Sequence, residues 1–204
     1  MTLQEILNDI DLRFRNSFTT AQKVAWMNMV QRQIFTKVPH EAVPYTFPTV
    51  TDQAWYPLPA DCKPKGIRRI EIETSAADDY EELPYMDLNA NVSDTESFYS
   101  LIQQTMYINP VPDTTTAGRD VYIYYYKSPT ELSATALTAT PDLETEYQEL
   151  LVLGTLKRIA QARKDVVMVN NYGADYDELF DEYKSEFYDN TPPRVRQIEN
   201  VNGW

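Results

Sequence analysis

The chain has 204 residues, 43% of them hydrophobic, one cysteine and a formal net charge of −13. That length supports one sizeable core, or a core with a smaller satellite. The composition excludes an intrachain disulfide and a cysteine-based zinc cluster, and no run of about 18 apolar residues exists to span a membrane.

The N-terminal run Met1-Thr2-Leu3-Gln4-Glu5 has neither a basic segment nor an apolar one, so no signal peptide is expected. A first helix is predicted from Thr2, because Thr2 and Glu5 fit a capping box. Leu3, Ile6, Leu7, Ile10 and Phe14 recur at three- and four-residue steps and form one apolar face. Asn16-Ser17 breaks it. A second helix is predicted from Thr19 or Thr20 to about Thr36, ended by Pro39. The short link places the two side by side.

From Tyr45 the texture changes to strands. Tyr45 to Val50 reads as a strand, Thr51-Asp52-Gln53 as a turn, and Ala54 to Pro59 as a returning edge strand, since proline lacks a ladder donor. Cys62 to Lys65 is read as loop. Arg69, Glu71 and Glu73 alternate with Ile70, Ile72 and Thr74, a half-buried strand. Phe98 to Ile102 and Thr105 to Ile108 form a further pair. Val121 to Tyr126 is the strongest strand, amphipathic on both faces, and is expected to be central or to face another subunit.

After a Ser-, Thr- and Ala-rich loop (Ser128 to Thr140), Leu143 to Ala162 predicts a third helix, apolar around much of its girth. Gly154 within it reads as a tolerated small residue, a close helix crossing being the alternative. A fourth helix carries Val169, Tyr172, Tyr176, Leu179, Phe180, Tyr183 and Phe187 on one stripe. Asp175, Asp177, Glu178, Asp181 and Glu182 take the other side. Beyond Tyr188 the periodicity stops. Asp189 to Pro193 signals a linker, and Arg194 to Trp204 holds too few apolar residues to offset its own ordering entropy. A segment that orders on a partner is expected there. The fold class is therefore α+β: two N-terminal and two C-terminal helices (residues 1–44 and 129–188), an inserted antiparallel β region (45–128), and an extended C-terminal arm (189–204).

The charge is segregated. Glu71 to Glu96 holds nine acids and no Lys or Arg; Asp165 to Tyr188 holds seven acids and one lysine; Met1 to Val38 holds five cations and three acids. Acid patches repel phosphate and argue against a DNA-binding role. They are compatible with a surface that DNA slides past, and with plain solvated loops.

Groups for catalysis are scarce. His40 is the sole histidine, so triads and paired-histidine metal sites would all have to use it. Cys62 would need a neighbouring cation to become a nucleophile. The five glycines are too dispersed for a phosphate-cradling loop. Asp177 and Asp181 share a helix face but lack the ligand alternation of a calcium loop. Asp78, Asp79, Glu81 and Glu82 give no fixed carboxylate separation. No enzyme, cofactor or metal is expected. Trp55, Tyr56, Tyr122, Tyr124 and Tyr126 offer either a partner- or sugar-binding face or an ordinary packed strand surface.

The segment Ala54-Trp55-Tyr56-Pro57-Leu58-Pro59-Ala60-Asp61, following a helix pair, resembles the Tyr-x-Leu-Pro-x-Asp turn of the head-to-tail adaptor (connector) proteins of tailed bacteriophages. Leu143 through Ala162, followed by a helix with Tyr172 and Tyr176-Asp177-Glu178-Leu179, is similar to that family too. The resemblance implies a four-helix adaptor core and a virion protein of the phage neck, made in the host cytoplasm. It implies a ring of copies, usually dodecameric, beneath the portal protein. Partners would be the portal, neighbouring subunits and tail or nozzle proteins, with DNA passing through the lumen unbound and no membrane involved. By the same resemblance the C-terminal segment docks on the portal, with Val195, Ile198, Val201 and Trp204 as anchors and Arg194 and Arg196 as charge partners. The competing class is a carbohydrate- or receptor-binding module using the aromatic strands. A hydrolase using the acidic loops ranks last.

Overall fold

The computed structural model describes residues 1–75, 79–88 and 96–188, the Tyr188 side chain excepted. The fold is α+β, with helices and antiparallel strands as the periodicities predict. The chain divides into two compact units: Met1–Val38 with the chain from Glu131 onward, and Pro39–Thr130.

The helical unit holds α1 (Leu3–Arg13), α2 (Thr20–Lys37), α3 (Glu149–Ala162) and α4 (Val166–Tyr188). The Thr2–Glu5 capping box closes as read: Thr2 Oγ1 accepts from Glu5 N at 3.3 Å, and the Glu5 carboxylate accepts from Thr2 N at 2.7 Å. Two more orphan donors of this helix, Leu3 N and Gln4 N, find the carbonyls of Ala139 and Leu137 at 2.8 and 2.9 Å. The polar loop before α3 thus completes the N-terminus of α1. Thr19 and Gln22 make a second capping box. Buried Lys23 is neutralised by Asp11, with its Nζ 2.5 and 2.7 Å from the two carboxylate oxygens.

Asn28 ties the same loop to α2. Its Nδ2 donates to Leu132 O and its Oδ1 accepts from Leu132 N, both at 2.9 Å and both buried. The amide satisfies one residue's backbone completely, as a neighbouring strand would. Leu3, Ile6 and Ile10 of α1, Met27 and Ile34 of α2, Leu150, Leu151 and Leu156 of α3, and Phe180 and Tyr183 of α4 share one core.

The third helix starts later than predicted. Thr145–Tyr147 forms a 3-10 turn and the α-helix proper opens at Glu149, with no side-chain cap at Gln148. Gly154 is a close crossing rather than a tolerated gap. A Cβ there would lie 2.7 and 2.8 Å from the two Val30 methyls and 3.3 Å from the Tyr176 ring. Lys164 (φ 57°) ends α3 in the left-handed region, where Asp165 N bonds back to Ala160 O at 3.0 Å. Asp165 then caps α4 by accepting from Met168 N at 3.1 Å. A three-residue link, Arg163 to Asp165, therefore reverses the chain into a helical hairpin.

The second unit has two antiparallel sheets. One runs β1 (Tyr45–Pro48), β7 (Asp120–Lys127), β3 (Cys62–Glu73), β4 (Tyr80–Glu82) in spatial order; the other runs β2 (Trp55–Pro57), β6 (Thr105–Asn109), β5 (Phe98–Ile102). Their inner faces meet in a core of Tyr56, Leu58, Ile70, Tyr99, Met106, Ile108, Val121, Ile123 and Tyr125. β7 is interior and β5 pairs with β6, as predicted.

Three strand readings are corrected. Ala54–Pro59 does not return on Tyr45–Val50: β1 pairs with β7 and β2 with β6, in different sheets. Both are edge strands, so their prolines cost no ladder bond. The chain from Cys62 is strand, not loop, because a bulge absorbs Pro64 and lets Gly66 approach the Tyr126 carbonyl; a Cβ there would lie 2.9 Å from it. β4 forms within the acid-rich stretch although Glu82 lies opposite Glu71. Buried Leu83, whose N–H reaches Ile70 O at 2.9 Å, and the Tyr80–Tyr122 ring contact oppose that repulsion.

Candidate partner-binding surfaces

The period-2 alternation of β7 sends Val121, Ile123 and Tyr125 inward and leaves Tyr122, Tyr124 and Tyr126 half-buried on the other face. Each outward ring already has a neighbour. Tyr80 meets Tyr122 edge-on at 5.1 Å. The Arg69 guanidinium lies 4.4 Å from the Tyr124 centroid, and Arg68 lies 5.2 Å from that of Tyr126. Consecutive residues of a regular strand point to opposite faces. The register shift between Ile67 and Arg69 is what lets both arginines reach the same row of tyrosines.

Carboxylates hold the arginines in turn. Arg69 Nε sits 3.2 Å from Glu71 Oε1, and Arg68 pairs with Glu41. Burial, helped by Glu71, raises the Tyr124 phenol above its ordinary pKa. The surface is thus a Tyr–Arg–Glu lattice. Sequence reasoning named its tyrosines but missed Arg68 and Arg69, because the bulge that aligns them leaves no mark on the local pattern.

The other two aromatic candidates lie elsewhere. Trp55 is 42% exposed on edge strand β2, its ring 5.0 Å from Tyr107 on β6. Tyr56 is only 3% exposed and belongs to the core. Its hydroxyl accepts from Val50 N at 3.0 Å and donates to Gln53 O at 2.9 Å, which pins the turn ahead of β2. The five aromatic candidates therefore divide into a row of three on β7, Trp55 apart from them against Tyr107, and a buried Tyr56 that offers no surface.

The Trp55–Asp61 motif works as a structural latch. Leu58 N donates to Gln104 O at 3.0 Å, Cys62 N to Pro59 O at 3.0 Å, and Ser128 N to Asp61 O at 2.7 Å. The Tyr125 hydroxyl donates to Asp61 Oδ1 at 2.9 Å. Burial first, and the Asp61 carboxylate second, hold that phenol protonated well above its ordinary pKa.

The reactive candidates are placed as follows. Cys62 is buried, and burial together with the Asp61 charge pushes its thiol up to about 11, so the thiolate is scarce at neutral pH. His40 is half-buried and its carbonyl accepts from Lys127 N at 2.9 Å. Asp175, Asp177, Glu178, Asp181 and Glu182 are all exposed on α4. Among the described residues no group of three or more His, Cys, Asp or Glu side chains could hold a metal ion, and no helix is long and apolar enough to cross a membrane. Arg194, Val195, Arg196, Ile198, Val201 and Trp204 lie outside the described residues, as does Asp78.

A family model described as SU10 adaptor protein matches residues 1–197. No curated protein matches the chain.

Proposed function

The chain belongs to the SU10 adaptor protein family, and from that premise we propose that it is a non-enzymatic structural subunit of a phage neck. Copies assemble into a ring, dodecameric by the head-to-tail adaptor resemblance, which sits below the portal protein and joins capsid to tail. The DNA leaves through its lumen during genome ejection. The single observation that carries this reading is the extent of the family match, 197 of 204 residues. In this reading residues 1–44 and 129–188 form the adaptor core, residues 45–128 meet tail or nozzle proteins, and 189–204 dock on the portal through Val195, Ile198, Val201 and Trp204.

The geometry supports a protein partner for the β7 face. Tyr and Arg are the residues that dominate protein interfaces, and two of the three outward tyrosines already carry a guanidinium where a sugar ring would stack. The carbohydrate-binding alternative keeps the exposed Trp55–Tyr107 pair as its one supporting observation; glycan-array binding abolished by Trp55→Ala would favour it.

Mass photometry of the purified chain with and without portal tests the adaptor reading. Small species alone and a defined multi-copy complex on the portal are expected. Failure to bind portal at micromolar concentrations would remove the central claim.

A further inference from the structure

The cations of the four helices divide into those that find an acid and those that do not; among the described residues Lys184, near the end of α4, is in no ion pair and stands apart from the groove between α2, α3 and α4. Arg13 pairs with Glu149, Lys23 with Asp11, and Arg32 with Glu131. Lys37, Lys157 and Arg158 do not: among the described residues none of the three is in an ion pair. They gather around a surface groove of about 320 Å³ formed by α2, α3 and α4, floored at Gly154. Among the described residues Asp177 is the one acid on its lining. Lys37 lies 5.0 Å from the Phe180 centroid and Lys157 5.8 Å from that of Tyr176, while Arg158 Nη2 donates to Gln33 Oε1 at 3.2 Å. Ring contacts and an amide orient these cations without neutralising them, in a chain of net charge −13.

The complement lies on the same helical unit. At roughly 100° per residue, Tyr176, Phe180 and Tyr183 mark the inward line of α4, and Asp177 falls on the flank that borders the groove. Asp175, Glu178 and Glu182, at steps of three and four, fall on the opposite flank. All three are exposed, and none pairs with a cation among the described residues. Opposite flanks of one helix cannot satisfy each other within one chain.

We propose that the groove of Lys37, Lys157 and Arg158 receives the Asp175–Glu178–Glu182 stripe of a second copy of this chain. Such a contact is head-to-tail: each copy offers one groove and one stripe, so copies add in series and a ring results if the rotation closes. Charge complementarity favours this occupant over nucleic acid: three carboxylates on successive turns of one helix match three cations, whereas the net charge of −13 repels an extended phosphate backbone. The proposal shares with the adaptor reading only the premise that copies meet, and it supplies the surfaces.

Charge exchange tests it. Self-association of the full chain is measured by sedimentation velocity up to several hundred micromolar, for wild type, a groove variant (K37E/K157E/R158E) and a stripe variant (D175K/E178K/E182K). Each variant alone is expected to associate on the order of tenfold more weakly. An equimolar mixture restores association, because each variant then presents the charge the other lacks. The neutral set K37Q/K157Q/R158Q gives the same weakening in a milder form, and helical circular dichroism verifies the fold of every variant. Wild-type chain that stays monomeric throughout would overturn the proposal. So would variants that associate like wild type, or folded variants whose mixture shows no recovery. A groove variant that self-associates normally but loses retention on a duplex-DNA column assigns the groove to nucleic acid and also overturns it. Normal assembly of the groove variant on portal would reject the groove contact and leave the adaptor reading standing, whereas groove-dependent self-association without portal binding would do the reverse.

Discussion

Replacing Gly154 by alanine sets two opposing effects against each other. In an open helix interior the change stabilises by about 1 kcal/mol through helix propensity. Here the added methyl would lie 2.7 and 2.8 Å from the Val30 methyls and 3.3 Å from Tyr176 Cε2, whereas carbon atoms pack at about 3.5–4.0 Å. Val30 is only 2% exposed and β-branched, so in a helix it has one strongly preferred rotamer and cannot swing aside. Overpacking of this kind costs about 1–3 kcal/mol, which outweighs the propensity gain. With Val30 unable to yield, the upper part of that range applies, about 2–3 kcal/mol, and Gly154→Ala should lose about 1–2 kcal/mol net. Urea unfolding followed by Trp26 emission, with Trp55 and Trp204 replaced by Phe, reads the helical unit, since Trp26 packs on Phe18 at 4.9 Å. Val30→Ala alone should lose about 2 kcal/mol, and the double variant should be at least about 1 kcal/mol more stable than the sum of the singles. A Gly154→Ala chain as stable as wild type, or more so, would refute the crossing.

Asn28→Ala strands the buried N–H and C=O of Leu132 and should cost about 2–3 kcal/mol, with amide exchange at Leu132 accelerated in step. Asp113 accepts from the Thr115 and Thr116 hydroxyls and amides at 2.7–2.9 Å, which lowers its carboxyl from 3.8 to about 2. A lowered pKa means that the stabilisation is complete above about pH 3.8 and disappears as pH falls through about 2; a carboxyl carbon titration by NMR should show that midpoint, moving upward in Thr115→Ala. Glu82→Lys replaces the Glu71–Glu82 opposition with an attraction and should stabilise the β3–β4 pair by a few tenths of a kcal/mol, read as slower amide exchange at Leu83.

What the sequence makes legible is local. The Thr2–Glu5 box, the stripe of α4 and the alternation of β7 are written in neighbouring residues, and each is present in the structure. What it hides is the identity of distant partners. The expected return of β2 on β1 failed because β2 pairs with β6, which lies some fifty residues onward. The crossing at Gly154 depends on Val30, the loop clamp on Asn28 and Leu132, and the arginine–tyrosine row on a bulge whose register only β7 defines. A tyrosine in a strand reads the same whether it faces out, as Tyr124 does, or closes a turn from inside, as Tyr56 does.

The most direct test is electron cryo-microscopy of the full chain assembled on its portal protein. A closed ring of copies stacked under the portal, with density for residues 189–204 lying on portal subunits, is the expected result. Monomers scattered over the portal exterior, or a ring whose C-terminal residues make no portal contact, would contradict it.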